Sequence, residues 1–250
     1  MNNEVIRQLN NQQLEEFDQE YIDDLRWEKV KSLIDQNFSE KRFSFLDIGG
    51  GNGMFADRIL QNYPKSVGTL IDNASILLEL NRPNIRKTWL LASVEELNNL
   101  FEDNTKFDLI FFNWSLHHFV KNSYHQTRKI QYEALINARN LLSENGCISI
   151  FENMYDGIVF PKLPSYLIFY LTSSKILAPI MKKLGANTAG CGVCFLSKPQ
   201  WEDIINNAEL MVSQYTDYEK WKDVNIMRRI FLHIGPVRHG HFWLSKKENS

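Results

Sequence analysis

The chain has 250 residues, 44% hydrophobic and 12% aromatic, which is ample for a buried core and too apolar for a disordered polypeptide. Its 28 basic and 30 acidic side chains leave a formal net charge of −2, which excludes the pervasive basic face of a protein that coats nucleic acid. Three cysteines cannot build a disulfide framework, and their odd number fits a reducing compartment.

The opening Met1-Asn2-Asn3-Glu4 has neither the positive nor the apolar segment of a secretory signal. Residues 4–37 read as helical, with Leu25, Val30, Leu33 and Ile34 at helix-like spacing. From residue 43 onward, short apolar runs alternate with longer helical patterns, as in βα units feeding a parallel sheet. Strands are expected at 43–48, 66–71 (closing on Asp72), 85–91, 107–112 and 146–151. Between them lie helices at 53–61, a short one reaching 80, one near 95–101 and a long one at 124–142. Residues 154–197 break the alternation with an aromatic, proline-punctuated insertion. Within it, 163–184 is too interrupted, by Thr172-Ser173-Ser174-Lys175, Pro164 and Pro179, to give the ~20 apolar residues of a membrane span. A helix at 198–207, a strand at 210–215, an apolar segment at 230–234 and a strand at 239–246 complete the chain. The expectation is one α/β domain with an open, doubly wound, mostly parallel seven-stranded sheet. It divides into a helical extension (1–40), a core (41–153), a cap insertion (154–197) and a C-terminal helix with strands (198–250).

The most informative run is Leu46-Asp47-Ile48-Gly49-Gly50-Gly51-Asn52-Gly53. Glycines there let the backbone turn sharply and let a ligand approach closely, and the following helix offers unpaired N–H groups. Gly51 to Ala56 also fits the dinucleotide pattern G-x-G-x-x-A, but that register pushes Asp47, Gly49 and Gly50 back into the strand, where they fit poorly. Asp47 discriminates: a carboxylate beside the loop repels a pyrophosphate and pairs with an ammonium. S-adenosylmethionine carries an ammonium and a sulfonium and no phosphate.

On these residues the sequence resembles the class I S-adenosylmethionine-dependent methyltransferases. Their first motif, D/E-x-G-x-G-x-G, is met by Asp47, Gly49, Gly51 and Gly53, with Gly50 inside the loop. The resemblance implies a Rossmann-like fold and S-adenosylmethionine as cofactor. It implies that Asp72, with Asn73 beside it, receives the ribose hydroxyls, since a carboxylate can accept both protons. Ala92-Ser93-Val94 falls on the adenine-binding stretch, where Ser93 replaces the usual acid and leaves the Val94 N–H for the ring. Phe107 to His118 looks like the fourth-strand motif, and residues 141–146 like the turn into the fifth strand. Tyr21 and Trp27 lie on the N-terminal helix that often closes over the cofactor in this family; each reads as core or as a sulfonium contact.

Asn113 and Trp114 end a buried strand, where open α/β sheets bind ligands, so both are candidate cofactor contacts; a turn-forming Asn is the plainer reading. His117 and His118 follow at the expected methyl-transfer point. A neutral imidazole there can take a proton from a hydroxyl or amine, while packing against the cofactor or capping a helix are the alternatives. Glu152 closes the fifth strand as a third candidate base or as a cap. Arg238, His239 and His241 read as an exposed edge or partner face. Cys191 and Cys194 read as buried or lining thiols, since no second cysteine pair completes a zinc site, and no metal is expected.

The expected function is methyl transfer to a small, lipophilic or aromatic metabolite, with the insertion walling the acceptor pocket; a dimer interface or a membrane-surface contact helped by Lys175, Lys182 and Lys183 are the competing readings of the insertion. Alternatives are a nucleic-acid or protein methyltransferase, a non-catalytic S-adenosylmethionine-binding module, and a nicotinamide-dependent oxidoreductase. A cytoplasmic monomer or homodimer is expected, with no nucleic-acid partner and no stable membrane insertion.

Overall fold

The computed structural model describes residues 5–17, 22–219 and 224–247. The chain begins with α1 (Asn11–Leu14), a 3₁₀ turn (Glu15–Phe17) and α2 (Asp24–Asn37). The expected continuous helix over 4–37 is therefore two pieces. The reason is capping: Asn10 accepts from the Gln13 N–H and Asp23 from the Arg26 N–H, so each piece starts afresh.

The alternation then proceeds through β1 (Ser44–Ile48), α3 (Met54–Asn62), β2 (Val67–Asp72), α4 (Ser75–Leu78), β3 (Lys87–Leu91), α5 (Leu97–Leu100), β4 (Phe107–Asn113), α6 (Tyr124–Leu141) and β5 (Leu142–Gly157). The insertion carries α7 (Leu163–Ser173) and α8 (Ala178–Lys183). The chain closes with α9 (Lys198–Asn207), β6 (Leu210–Glu219), α10 (Ile226–Phe231) and β7 (Ile234–Lys246).

Among the described residues seven strands form one sheet in the order β3-β2-β1-β4-β5-β7-β6. β1 to β5 run parallel, and β7 lies antiparallel to both β5 and β6. Three strands, β5, β6 and β7, run several residues further than the sequence pattern indicates. β5 continues to Gly157 because Asn153, Met154 and Tyr155 pair with His239, Arg238 and Val237 of a β7 that starts at Ile234. Residues 235–238, Gly-Pro-Val-Arg, give no strand signal of their own and are held extended by pairing along β5.

Period-two alternation splits the core into two layers. Leu46, Ile48, Ile110 and Phe112 face one side, against Ile130, Ala134 and Leu135 of α6 and Trp201 and Ile204 of α9. Phe45, Leu109 and Phe111 face the other, against Trp27, Val30 and Ile34 of α2 and Phe55 and Ile59 of α3. Trp27 is thus a core residue, 4% exposed and edge-on to Phe55. The strand order reverses between β1 and β4, and an open α/β sheet places its crevice at such a point.

Candidate cofactor and active site

A cavity of about 530 Å³ occupies this switch point, within the size range of small-molecule sites. Its floor is the loop after β1. Gly49 holds φ at +75°, and a Cβ there would stand 2.5 Å from the Ser115 Cβ. Gly49, Gly50 and Gly51 line the cavity and Gly53 does not. Gly53 starts α3 at φ +73° and backs onto Asn81, whose Oδ1 would lie 1.9 Å from an added Cβ. Its glycine serves close packing beneath the loop, not ligand approach.

Asp47 lines the cavity 1% exposed, and neither carboxylate oxygen has a hydrogen-bond partner within the protein. Burial, reinforced by Asp72 and opposed by Lys87, pushes its carboxyl up to about 7. Asp72, at the end of β2, is already engaged: Oδ2 accepts from the Gly51 N–H at 3.0 Å and Oδ1 from the Ala74 N–H at 2.8 Å. Burial raises its pKa, and the N–H donors of Ala74, Gly51 and Asn73 oppose the rise. Asp72, Asn73, Ser93 and Val94 all line the cavity. The Ser93 side chain is spent as a cap, with its Oγ accepting from Glu95 N–H and its N–H donating to Glu96 Oε2, so its adjacency to the site is through the backbone turn.

At the end of β4, Asn113 lines the cavity with both side-chain amide atoms buried and unpartnered. Trp114 follows at φ +51°, a costly conformation for a bulky residue. It is held there by its N–H to Phe151 O (2.9 Å), its indole N–H to Asn153 Oδ1 (3.1 Å) and a stack on Phe151. His117 and His118 both line the cavity. His117 Nδ1 lies 2.7 Å from Glu152 Oε2, and its main-chain N–H donates to Oε1. Burial depresses the His117 imidazole to about 3, and burial together with His117 holds His118 well below the usual imidazole range. Glu152 is fully buried, and burial pushes its carboxyl well above the carboxylate range against the N–H donors of His117, Leu116 and Asn153. It does not line the cavity, nor does it close β5. It sits behind His117 and orients the ring.

The far wall comes from the N-terminal segment. Ile6, Arg7, Leu9, Leu14 and Phe17 line the cavity, with Phe17 edge-on to His118 at 5.2 Å. The segment is pinned by Ile6 N–H to Glu95, Arg7 N–H to Val120 O, and the Arg7 guanidinium to Cys191 O. No residue of 154–197 lines this cavity, so the insertion does not wall it as expected; it buttresses the N-terminal segment from outside. Tyr21 lies outside the described residues. Arg26, Phe55, Asn153 and His239 are further lining residues. Arg26 and Phe55 read as ordinary helix residues in sequence. His239, expected on an exposed edge, enters because β7 pairs it opposite Asn153.

The remaining candidates belong elsewhere. His241 is buried, stacked on Phe151 at 4.0 Å and bonded to Ser149, with its imidazole depressed by burial to about 3. Arg238 bridges Asp156 and Asp217. Cys194 is buried beside Ser165, and burial pushes its thiol to about 12. Cys191 is half-buried.

Residues 46–148 match the family model described as a methyltransferase domain. Over 125 residues the chain is 32% identical to ribosomal RNA small subunit methyltransferase C of Buchnera aphidicola subsp. Schizaphis graminum, covering 48% of this chain and 35% of that protein. Over 138 residues it is 28% identical to malonyl-[acyl-carrier protein] O-methyltransferase of Priestia megaterium, covering 53% and 48%. The chain spans less than half the length of these relatives. Among solved structures, the plantazolicin methyltransferase BpumL in complex with SAH superposes with a TM-score of 0.55 at 16% identity, covering 88% of this chain and 82% of that one. The [4+2]-cyclase SpnF does so with a TM-score of 0.60 at 11% identity, covering 90% and 82%. These two share the fold. Sheet order, glycine loop and domain match together support a class I S-adenosylmethionine-dependent methyltransferase domain over residues 46–148, with S-adenosylmethionine as cofactor.

Proposed function

We propose that the chain transfers a methyl group from S-adenosylmethionine to a small, lipophilic or aromatic metabolite. The observation that carries this reading is Asp47: a buried carboxylate with no partner in the protein, facing a cavity, is the complement of a ligand cation. The glycine loop gives such a ligand room, and Asn113 adds an unpartnered donor and acceptor on the opposite strand end.

The cofactor, when bound, supplies a methyl group activated by a sulfonium. Asp47 would bind its ammonium, Asp72 would accept ribose hydroxyl protons, and Asn73, Ser93 and Val94 would flank the adenine. Asn113 would hold the methionine end. His117, with Nδ1 committed to Glu152, presents Nε2 as its remaining ring nitrogen, and His118 lies beside it. Burial keeps both rings uncharged at neutral pH, so each can take a proton from an acceptor hydroxyl or amine. Apolar walls of Ile6, Leu9, Phe17, Phe55 and Trp114 exclude water and favour a lipophilic acceptor.

The test is equilibrium binding of S-adenosylmethionine against NAD(P)H, followed by S-adenosylhomocysteine release with fractionated small-molecule extracts. Preference for the nicotinamide would overturn the cofactor assignment. Tight cofactor binding with no release from any fraction would leave a binding module.

A further inference from the structure

Charge is unevenly distributed along this chain. No acidic residue occurs between Asp156 and Glu202, while Lys162, Lys175, Lys182, Lys183 and Lys198 all fall there. Lys175, Lys182 and Lys183 are exposed, and no ion pair engages them among the described residues. The same part of the molecule displays large apolar side chains to solvent. On α10, Ile226, Met227, Ile230 and Phe231 are 67%, 72%, 68% and 72% exposed, and their i, i+1, i+4, i+5 spacing makes them one stripe. Ile158, Val159 and Phe160 are similarly exposed, as are Ile176 and Ile180 around α8.

Hydrogen bonds join these pieces into one face. The Arg228 guanidinium of α10 donates to Leu184 O just after α8. His233, immediately past α10, accepts from the Val159 and Phe160 N–H groups through Nε2, and its carbonyl accepts from the Ile158 N–H. A contiguous apolar surface rimmed by lysines is thus presented to solvent in a chain whose net charge is −2.

We infer that the face formed by residues 158–160, α8 and α10 docks on the surface of an anionic lipid bilayer. The apolar side chains project from the surface as one face, so they suit insertion among acyl chains and headgroups, a medium that needs no matching shape. Lysines with no acidic neighbours along 45 residues of chain are complementary to anionic headgroups. A second copy is disfavoured as occupant, because face-to-face docking would oppose lysine to lysine. The attachment is interfacial: no described helix is long and apolar enough to cross a membrane. The inference does not depend on the cofactor reading, because none of the residues it uses lines the cavity.

The test is co-sedimentation of the full chain with vesicles of phosphatidylcholine alone and of phosphatidylcholine with phosphatidylglycerol. Binding to the mixed vesicles only is expected, weakening with salt as the screening length shrinks. Lys182→Gln with Lys183→Gln should weaken partitioning by about fivefold for each lysine near the surface. Ile230→Asp with Phe231→Asp should abolish it. S-adenosylmethionine binding and the circular dichroism spectrum should stay as wild type in each variant. Absence of binding to the mixed vesicles, equal binding to both, or partitioning that ignores the lysine pair would overturn the proposal. So would a wild-type dimer, seen by light scattering, that the Lys182→Gln/Lys183→Gln variant or Phe231→Asp dissociates. If the α10 variant fails to fold, the lysine pair decides alone.

Discussion

Asp47 on β1 and Glu152 on β5 are both buried carboxylates of the central sheet, yet their surroundings differ in the one respect that matters. Asp47 faces the cavity with neither oxygen bonded, whereas Glu152 is sealed behind His117, with Oε1 accepting from the His117 main-chain N–H and Oε2 hydrogen-bonded to Nδ1. Burying an unpaired carboxylate costs free energy, so Asp47 is where we propose that a cation completes the site. A satisfied one such as Glu152 fixes a neighbour. Asp47 is left unpartnered at the cavity and Glu152 is partnered behind it, a difference that no sequence motif encodes.

The largest effect expected is on the Glu152 side. For an acceptor that must lose a proton, His117→Ala or His118→Ala should lower turnover by about 100- to 10,000-fold while sparing cofactor affinity. Two variants within threefold of wild type, by a rough limit set against that range, would remove both rings from proton transfer. On the other side, Asp47→Ala should weaken S-adenosylmethionine binding by about 2–5 kcal/mol, the range for truncating one partner of a buried charge pair. Its melting temperature should hold or rise, because the protein loses an uncompensated carboxylate. Calorimetric titration with a thermal melt checks both; unchanged affinity would erase the distinction.

Asp72→Asn removes charge and one acceptor, with an expected loss of ~1.5–3 kcal/mol in cofactor affinity by the same titration. Glu152→Ala should do the reverse of Asp47→Ala. Cofactor affinity should change little, while stability falls by ~1–3 kcal/mol as the His117 groups lose their acceptor, measured by urea denaturation. Glu152→Gln should recover part of that loss.

The smallest effect is one of pH. With its carboxyl raised to about 7, Asp47 must ionise to bind an ammonium, so affinity should fall as pH drops below 7, with a proton released on binding. Titration in buffers of different ionisation enthalpy measures that proton. In the free protein the folded pKa lies above the ordinary aspartate value of 3.8, so this group's stabilising contribution is complete below that value and is lost as pH rises through 7. Asp47→Asn should flatten both slopes.

The cavity residues proposed to hold the cofactor were legible because they are local. Asp47, the glycines and Asp72 are read from strand, turn and helix within 26 residues of chain, and hydrophobic periodicity places the strands that carry them. Strand ends in this part of the sheet were read short, since residues 235–238 become a strand only by pairing along β5. Which segment walls the cavity was also invisible. Ile6 and Arg7 reach Glu95 and Cys191 across 89 and 184 residues, and nothing in a local pattern encodes a contact of that separation.

Chain-local chemistry by itself determined the fold class, the glycine loop, and the acidic residues at the ends of β1 and β2, because each is set by φ/ψ preference, strand alternation or the charge of one side chain. Only the tertiary structure decided that Gly53 packs on Asn81, that Glu152 backs His117, that His239 enters the cavity and that Asp47 is left without a partner. Whether a buried polar group is satisfied depends on atoms brought from distant parts of the chain, and satisfaction is what divides a residue that holds the protein together from one that awaits a ligand.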